Sequence, residues 1–290
     1  MNQISLDEYL QGHYTIKTAA VYRADIESYI ANSPQAETAQ HKDIVAYIGR
    51  LRKRYSNAKT VSRILSSIKA YYNFLSHSGK RRDNPAQSIR LRDKQNRDIQ
   101  LQDLFTAQEL ESLLEREERY PLLLSRNKVL TGLLIYQGLL PTELENLTVN
   151  DINLNEGTVY IKGAAKTNQR TLKLKTLQIM ILHEYLTAIR PKLIKSPSES
   201  FLLMGARSTH LKAEDITKHI KRSFKGRFKD RKVNCQTIRQ SVLTNLLKAG
   251  NDLRIVQVFA GHKTPSTTEK YKQSDTEALK AAIERFHPMR

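Results

Sequence analysis

The sequence predicts a mainly α-helical protein of two domains, with one small antiparallel sheet in the second domain. Residues 1–90 contain four apolar patterns at helical spacing, and residues 105–290 contain mostly helical patterns around two segments that alternate in period two. A polar, charged stretch without glycine at 91–104 separates them and is expected to be a linker. A chain of 290 residues suffices for two domains of roughly 100–200 residues each.

The first domain is expected to be a bundle of four helices. Ser5 can cap the first helix with its hydroxyl, and Glu8, three residues further on, can complete a capping box. The second pattern covers residues 15–30, and its apolar positions are expected to lie mostly on one buried face. The apolar positions of the last three patterns are, in order, Ile16, Ala19, Ala20, Ile26 and Ile30; Ile44, Ile48 and Leu51; and Val61, Ile64, Leu65, Ile68, Tyr71, Tyr72 and Leu75.

The second domain opens at Thr106, where Glu109 completes a capping box. Residues 157–161 and 170–174 alternate in period two and predict two antiparallel strands joined by a short loop. Helices are predicted at 126–137, in a short segment from Pro141, and at 177–189, 214–227, 236–249, 252–260 and 265–272.

The charge of the chain indicates a polyanionic partner. It carries 48 Lys and Arg against 29 Asp and Glu, a net charge of +19. Such an excess favours double-stranded nucleic acid first and an anionic membrane surface second. The basic residues of the first domain and linker that we expect to contact DNA phosphates are Arg50, Arg52, Lys53, Arg54, Lys59, Arg63, Lys69, Arg90 and Arg92.

Other classes of protein are disfavoured. The single cysteine, Cys235, excludes an internal disulfide framework and a multi-cysteine zinc site, and it fits a reducing cytoplasm. The first residues show no basic stretch followed by an apolar core, so no secretory signal is expected. Apolar stretches such as 129–136 are too short to cross a bilayer. We therefore expect a cytoplasmic, nucleoid-associated protein with no membrane partner and no metal.

The last sixty residues hold the most specific pattern. Arg239 ends the sequence Gln-Thr-Ile-Arg, His262 follows Gly261 after an apolar helical pattern, and Tyr271 lies nine residues further on between two lysines. This order and spacing resembles the active-site segment of the tyrosine recombinases, the phage integrase family. The resemblance covers nearly the whole chain. It implies an N-terminal helical core-binding (SAM-like) bundle at 1–90 and a tyrosine-recombinase-type catalytic domain at 105–290, which together clamp duplex DNA.

The resemblance also implies a chemistry. In the family a tyrosine attacks the scissile phosphate and forms a 3′-phosphotyrosine link, with no cofactor, while cations and hydrogen-bond donors meet the charge of the transition state. Tyr271 takes the nucleophile position, Arg239 the second arginine position and His262 a histidine position. Lysines on either side of Tyr271 are expected to favour its phenolate.

The family's catalytic lysine lies in a hairpin loop. Lys166 in the loop 163–169 is the favoured candidate, and Lys162 is the alternative because the register of hairpin loops slips easily.

Several positions of this pattern carry other residues. Leu140 stands where the family has its first arginine, within an otherwise matching Gly-Leu-Leu-Pro-Thr-Glu-Leu segment. Gln236 stands where the family has a histidine, and Gln240 stands where many members have another. Leucine cannot donate a hydrogen bond, and glutamine cannot transfer protons near neutral pH. Arg126 or Lys128 could compensate from a neighbouring helix.

Three functions follow from these residues and stay open at this point. The chain is a degenerate recombinase that assists an active paralogue, an active but atypical recombinase, or a DNA-binding regulator on a recombinase scaffold. The family acts as an oligomer, so a homo-oligomer on DNA or a hetero-oligomer with another recombinase is expected. The family's C-terminal segment docks into a neighbouring subunit, which would here use Leu279, Ile283 and Phe286 of residues 275–290. The alternative is that these residues pack on their own domain.

Overall fold

The computed structural model describes residues 4–92, 104–118, 120–229 and 231–272. The chain forms two compact units, Met1–Arg97 and Asp98–Arg290. Most of the predicted linker lies outside the described residues, so the domain boundaries at 90 and 105 stay predictions. In the described ranges no helix combines the length and the apolar character needed to span a bilayer.

The first unit contains the four predicted helices. They are α1 (Leu6–His13), α2 (Ile16–Ala31), α3 (His41–Arg54) and α4 (Ala58–His77). The predicted capping box at the start of α1 is confirmed, because the backbone and side chain of Ser5 and Glu8 exchange two hydrogen bonds. All seven apolar residues predicted on α4 are buried, which makes this helix the centre of the first core.

The predicted buried face of α2 is partly wrong. Ile16 is 85% exposed and Ile30 is 42% exposed, while Ala19, Ile26 and Tyr29 are buried. Tyr29 packs its ring against tyrosines of α3 and α4 and thereby sets the rotation of α2. Ile30, the next residue, is turned away from that contact by about 100°.

A buried chain of hydroxyl groups joins α2 and α4 to the loop between α2 and α3. The Tyr72 hydroxyl donates to the Ala36 carbonyl at 2.8 Å, and the hydroxyls of Tyr29 and Tyr72 are 2.7 Å apart. Because Tyr72 already uses its proton on Ala36, Tyr29 donates to Tyr72. Burial raises the pKa of both tyrosines, so both stay protonated near neutral pH.

The second unit is mainly helical around one small sheet. Its helices are α5 (Ala107–Glu111), α6 (Pro121–Gln137), α7 (Pro141–Asn146), α8 (Thr176–Glu184), α9 (Arg190–Leu193), α10 (Ala213–Ser223), α11 (Cys235–Lys248), α12 (Leu253–Ala260) and α13 (Pro265–Lys272), and its strands are β1 (Ile152–Asn153), β2 (Thr158–Ile161) and β3 (Arg170–Lys173). The sheet is antiparallel in the order β1-β2-β3, with Val159 opposite Leu172. The mainly α prediction with a small antiparallel sheet is confirmed.

Helix α6 forms the middle of the second core. Leu130, Leu133 and Leu134 on it are fully buried, and its apolar residues cover most of its circumference, as expected of a central helix. It begins at Pro121, five residues before the predicted start, and it ends at Gly138, which adopts a left-handed conformation (φ 60°). This ending directs the chain into α7 and the site described below.

Several predicted helices and strands differ from those in the structure. Strand β1 was not predicted, because its two residues are too few to show alternation. Helix α10 ends at Ser223 rather than 227. The predicted helix 177–189 starts as α8, passes through a π-helical stretch at Tyr185–Ile189 and continues as α9.

We expect Tyr72→Phe to lower the free energy of unfolding of the first unit by about 1–3 kcal/mol, because the Ala36 carbonyl and the Tyr29 hydroxyl both lose their partner. Tyr29→Phe removes one donor only and should cost about 0.5–1.5 kcal/mol. Urea unfolding of both variants measures the difference. A larger loss in Tyr29→Phe would contradict the assigned direction of the hydrogen bonds.

Candidate active site

Three of the predicted catalytic side chains meet in the second unit. Arg239 comes from α11, His262 from the turn after α12, and Tyr271 from α13. The Arg239 Nη2 atom lies 3.3 Å from His262 Nε2, and the rings of His262 and Tyr271 stack with centroids 6.0 Å apart. All three residues are buried. The residues that are far apart in sequence therefore form one cluster.

Backbone carbonyls hold Arg239 from two sides. Its Nη1 donates to the carbonyl of Gly138 at 2.5 Å, and its Nη2 donates to that of Ala260 at 2.6 Å. Glu143 Oε2 lies 3.9 Å from Nη1. Burial lowers the pKa of Arg239, and the Glu143 carboxylate opposes that effect. The guanidinium thus links the end of α6 to the end of α12.

Two residues of this cluster were not predicted from the sequence. Arg170 at the start of β3 forms a bidentate pair with Glu143 in α7, at 2.8 and 3.0 Å. Both side chains are almost fully buried, with 2% and 4% exposure. The sequence does carry a signal, because Arg170 occupies an inward position of an alternating strand where an apolar residue is expected.

Close contacts with neighbouring residues require a glycine at position 261. It adopts a left-handed conformation with φ 68°, which ends α12. A Cβ atom there would lie 2.5 Å from Arg170 Nη1 and 3.0 Å from the Asn168 carbonyl oxygen. Any larger residue would push the turn away from Arg170 and the hairpin loop.

His262 is held in its neutral form. Its Nε2 faces the Arg239 guanidinium and accepts from it, so Nδ1 carries the proton and donates to Thr268 Oγ1 at 2.8 Å. Burial, and then repulsion by Arg239 and Arg170, lowers the pKa of His262 to about 4. Near neutral pH this side chain can accept or relay a proton only after Arg239 moves.

The environment of Tyr271 differs from the prediction. Burial raises the pKa of its hydroxyl, and the Arg239 guanidinium opposes this rise. The expectation of a favoured phenolate is therefore wrong, because Tyr271 packs inward against Leu243, Val256 and Ala260. The hydroxyl is protonated in this arrangement.

The hairpin loop 163–169 lies against the turn at His262. The backbone of Thr167 pairs with that of His262, and the Asn168 N–H donates to the Gly261 carbonyl at 2.8 Å. This contact brings the exposed Lys166, next to Thr167, to the edge of the site. The alternative, Lys162, has its Nζ 3.5 Å from Asp151. Lys166 therefore stays the predicted catalytic lysine, with Lys162 as the alternative.

The departures from the family pattern lie around the same cluster. Leu140 occupies the N-cap position of α7, and its backbone N–H donates to Glu143 Oε2 at 2.8 Å. Gln236 is exposed on the first turn of α11, and Gln240 is half-buried one turn further on. Leu140 thus reaches the cluster through its backbone and brings no cation to it.

The two cations proposed as substitutes lie in other surroundings. Arg126 is buried and donates to the Asn127 side chain and to the Met204 carbonyl. Lys128 lies beside Leu114 and Tyr136 in a groove between α6 and α8. Neither contacts Arg239, Glu143 or His262 in this arrangement, so the structure gives no support to compensation by Arg126 or Lys128.

The basic residues of the first unit fall into two groups. Arg63 forms an ion pair with Asp25, and the Lys69 Nζ donates to the carbonyls of Gln87 and Ile89 at 3.1 and 2.8 Å. Both side chains are half-buried and stabilise the fold. The residues of the predicted set that are exposed are Arg50, Arg52, Lys53, Arg54, Lys59, Arg90 and Arg92.

Two further predictions concern metal binding and the C-terminal segment. Among the described residues no group of three or more His, Cys, Asp or Glu side chains is placed to hold a metal ion.

The C-terminal segment 275–290, with Leu279, Ile283 and Phe286, lies outside the described residues.

Comparisons with known proteins agree with this arrangement. Residues 103–278 match the model of the phage integrase family, and residues 5–79 match that of the phage integrase N-terminal SAM-like domain. Tyrosine recombinase XerD of Listeria monocytogenes is 27% identical over 93% of this chain and 92% of its own length. Tyrosine recombinase XerC of Oceanobacillus iheyensis is 28% identical over 99% and 98%.

Solved structures share the fold. XerH site-specific recombinase bound to palindromic difH substrate superposes with a TM-score of 0.72 at 20% identity, covering 92% of this chain and 78% of that one. A lambda integrase dimer bound to a COC′ core site gives 0.70 at 16% identity, with 93% and 76% covered. The SAM-like bundle and the catalytic-domain fold predicted from the sequence are thereby confirmed.

We expect the free energy of unfolding to fall as the pH is lowered from about 6.5 towards 4. The folded-state pKa of His262 is about 4, below the ordinary value of 6.5, so in this window the unfolded chain binds a proton that the folded chain does not. His219, whose pKa burial also lowers to about 4, adds to the same slope.

Urea unfolding between pH 4.5 and 7.5 measures this slope. His262→Gln should flatten it, whereas His183→Gln, a change at an exposed histidine of α8, should leave it as in the parent chain. Equal slopes in the parent and His262→Gln would show that His262 is not held neutral by the fold.

Proposed function

Because the chain belongs to the phage integrase family of tyrosine recombinases, we propose that it binds a recombination site in double-stranded DNA and assists an active recombinase there. Its own strand cleavage is strongly impaired. It acts within site-specific recombination or integration, in the cytoplasm at the nucleoid, without a cofactor.

Leu140 is the observation that carries this proposal. It stands at the first arginine position of the family, and its one hydrogen bond to the cluster comes from the backbone N–H, because a leucine side chain has no donor. Arg170 is a second guanidinium in the cluster, but both of its terminal nitrogens are bound to Glu143 and its side chain is 2% exposed. As placed, Arg170 cannot meet a phosphate oxygen in the way an arginine at position 140 would.

The expected loss of rate is large. Cleavage builds negative charge on the non-bridging phosphate oxygens, and removal of one preorganised donor costs about 10²–10³ in rate. A missing bidentate arginine should cost at least that much. Gln236 can donate a hydrogen bond but cannot transfer a proton near neutral pH. Together these changes correspond to a drop of about 10³–10⁵, since effects within one site do not simply add.

A second function is favoured by the assembled remainder of the site. Arg239, His262 and Tyr271 lie together, and Lys166 stands at the edge of that cluster. An active but atypical recombinase would use Tyr271 to form a 3′-phosphotyrosine link with these groups alone. For that, Arg239 must exchange a carbonyl partner for the scissile phosphate, and the Tyr271 hydroxyl must become accessible.

The exposed cations of the first unit are proposed to bind the phosphate backbone. Lys53 and Arg54 end α3, and Arg90 and Arg92 lie in the segment after α4. Contacts of this kind provide affinity that depends steeply on salt and carries little sequence information. We propose assembly on DNA as a homo-oligomer or as a hetero-oligomer with the active recombinase; a solved structural relative is a lambda integrase dimer on its core site.

Covalent capture of DNA tests the cleavage proposal. Fragments of the native genome are incubated with the protein, washed in hot detergent, and the attached DNA is sequenced. The parent protein should retain DNA in a parallel low-salt wash but release it in detergent, because its complex is not covalent. Leu140→Arg combined with Gln236→His should retain detergent-resistant DNA, because it restores a cation and a proton-transfer group.

Two controls decide the outcome of that experiment. Adding Tyr271→Phe to the restored protein should abolish the covalent DNA. Leu122→Arg with Gln236→His adds the same charge at an exposed position at the opposite end of α6 and should not gain cleavage. Tyr271-dependent covalent DNA in the parent protein would refute impaired cleavage and support the active recombinase.

The division of the basic residues predicts different effects on DNA binding. Lys53→Gln with Arg54→Gln should reduce the slope of log K against log salt concentration by about 0.9 for each phosphate that is no longer neutralised. Lys69→Gln should leave that slope unchanged and lower the stability of the first unit, because its Nζ bridges two carbonyls. Fluorescence anisotropy with a labelled duplex over a salt series measures both; a larger slope change for Lys69→Gln would contradict the assignment.

A further inference from the structure

Two loops determine where the Arg239 guanidinium lies. The first, residues 138–140 between α6 and α7, supplies the Gly138 carbonyl. The second, residues 260–262 at the end of α12, supplies the Ala260 carbonyl and the His262 ring. Because the guanidinium is fixed by partners on both loops, a change in the distance between the loops must move it or break one of its hydrogen bonds.

Arg170 is linked to both of these loops, to the first through Glu143 and to the second directly. On one side it binds both oxygens of Glu143, and Oε2 of that carboxylate accepts the N–H of Leu140 at 2.8 Å. On the other side its guanidinium lies directly against Gly261, where a Cβ atom would come within 2.5 Å of Nη1. Arg170 is therefore a spacer between the loops that hold Arg239.

Burial and charge make this contact specific. The side chains of Arg170, Glu143 and Arg239 are 2%, 4% and 4% exposed, so two buried cations share one carboxylate. The buried Nε of Arg170 has no hydrogen-bond partner among the described groups. Leaving a buried donor unpaired is unfavourable. The guanidinium of Arg170 therefore keeps its contacts with Glu143 and Gly261 although its Nε atom has no partner.

We propose that Arg170 is a positioning residue that sets the place of the Arg239 guanidinium by holding loops 138–140 and 260–262 at a fixed separation. The importance of Arg239 for phosphate rests on the proposed function. The planar fork of arginine fits this role because it binds both oxygens of Glu143 while its guanidinium packs against Gly261. A lysine reaches one oxygen at a time and leaves the separation of the loops undetermined.

The mobility of the Arg239 side chain tests the proposal in the free protein. In arginine-labelled (¹⁵N) protein, a guanidinium held by two carbonyls should rotate slowly and show resolved Nη–H signals, assigned through Arg239→Lys. In Arg170→Lys these Arg239 signals should collapse or shift. The signals of Arg190 should persist, because that buried arginine is held by the carbonyls of Glu199 and Phe201 elsewhere in the unit.

A second variant covers the case in which Arg170→Lys does not fold, shown by loss of the Arg190 signals. Glu143→Gln keeps the shape of the side chain and removes its charge, and it should also release Arg239. Unchanged, resolved Arg239 signals in whichever variant retains those of Arg190 would overturn the proposal. Loss of the Arg190 signals in both variants would also overturn it, since the pair would then hold the whole unit together.

This measurement separates the inference from the proposed function. It uses the full chain without DNA and does not depend on cleavage. Covalent DNA from the parent protein would refute impaired cleavage and leave the role of Arg170 standing. Conversely, Arg239 signals that do not change when Arg170 or Glu143 is substituted would refute the positioning role. The proposed effect of Leu140 on cleavage would be unaffected.

Discussion

The buried carboxylate of Glu143 is the interaction on which the rest of the site depends. It accepts both terminal nitrogens of Arg170, lies near Arg239 and caps the N–H of Leu140. Burying charges is costly unless each is closely paired, and removing one partner from such a group strands the others. A single side chain at the start of α7 thereby joins β3, α11 and the segment between α6 and α7. Loss of any one partner would leave the charges of the others uncompensated in the interior.

Local pattern was sufficient to predict most of the fold. The spacing of apolar residues on α4 and the capping boxes at Ser5 and Thr106 are properties of a few neighbouring residues, and each is present in the structure. The buried face of α2 was less accessible to such reasoning, because its rotation depends on where Tyr29 packs against other helices. Strand β1 is defined by pairing with β2 and not by its own two residues.

The site also combines features that the local sequence predicts with features that depend on tertiary contacts. The order of Arg239, His262 and Tyr271 in the sequence identified a cluster that the structure brings together, because the turns between these residues are short. The pairing of Arg170 with Glu143 joins residues separated by a hairpin, and no local pattern specifies it. The pKa of Tyr271 illustrates the limit most directly. Adjacent lysines suggest an acidic hydroxyl, whereas the burial of the ring in a tertiary contact makes it less acidic.

The way Gly261 is packed has an evolutionary consequence. Its missing side chain makes room for Arg170 and for the hairpin loop, so a larger residue there would strain the packing of the domain. Arg239, which ties two helix ends together, is under the same demand. A lineage that had ceased to cut DNA would still be selected to keep both residues, while position 140, whose hydrogen bond to the cluster comes from the backbone, would be free to lose its arginine. In such a lineage, family residues that also stabilise the fold would be retained. The positions substituted first would be those that had served only catalysis.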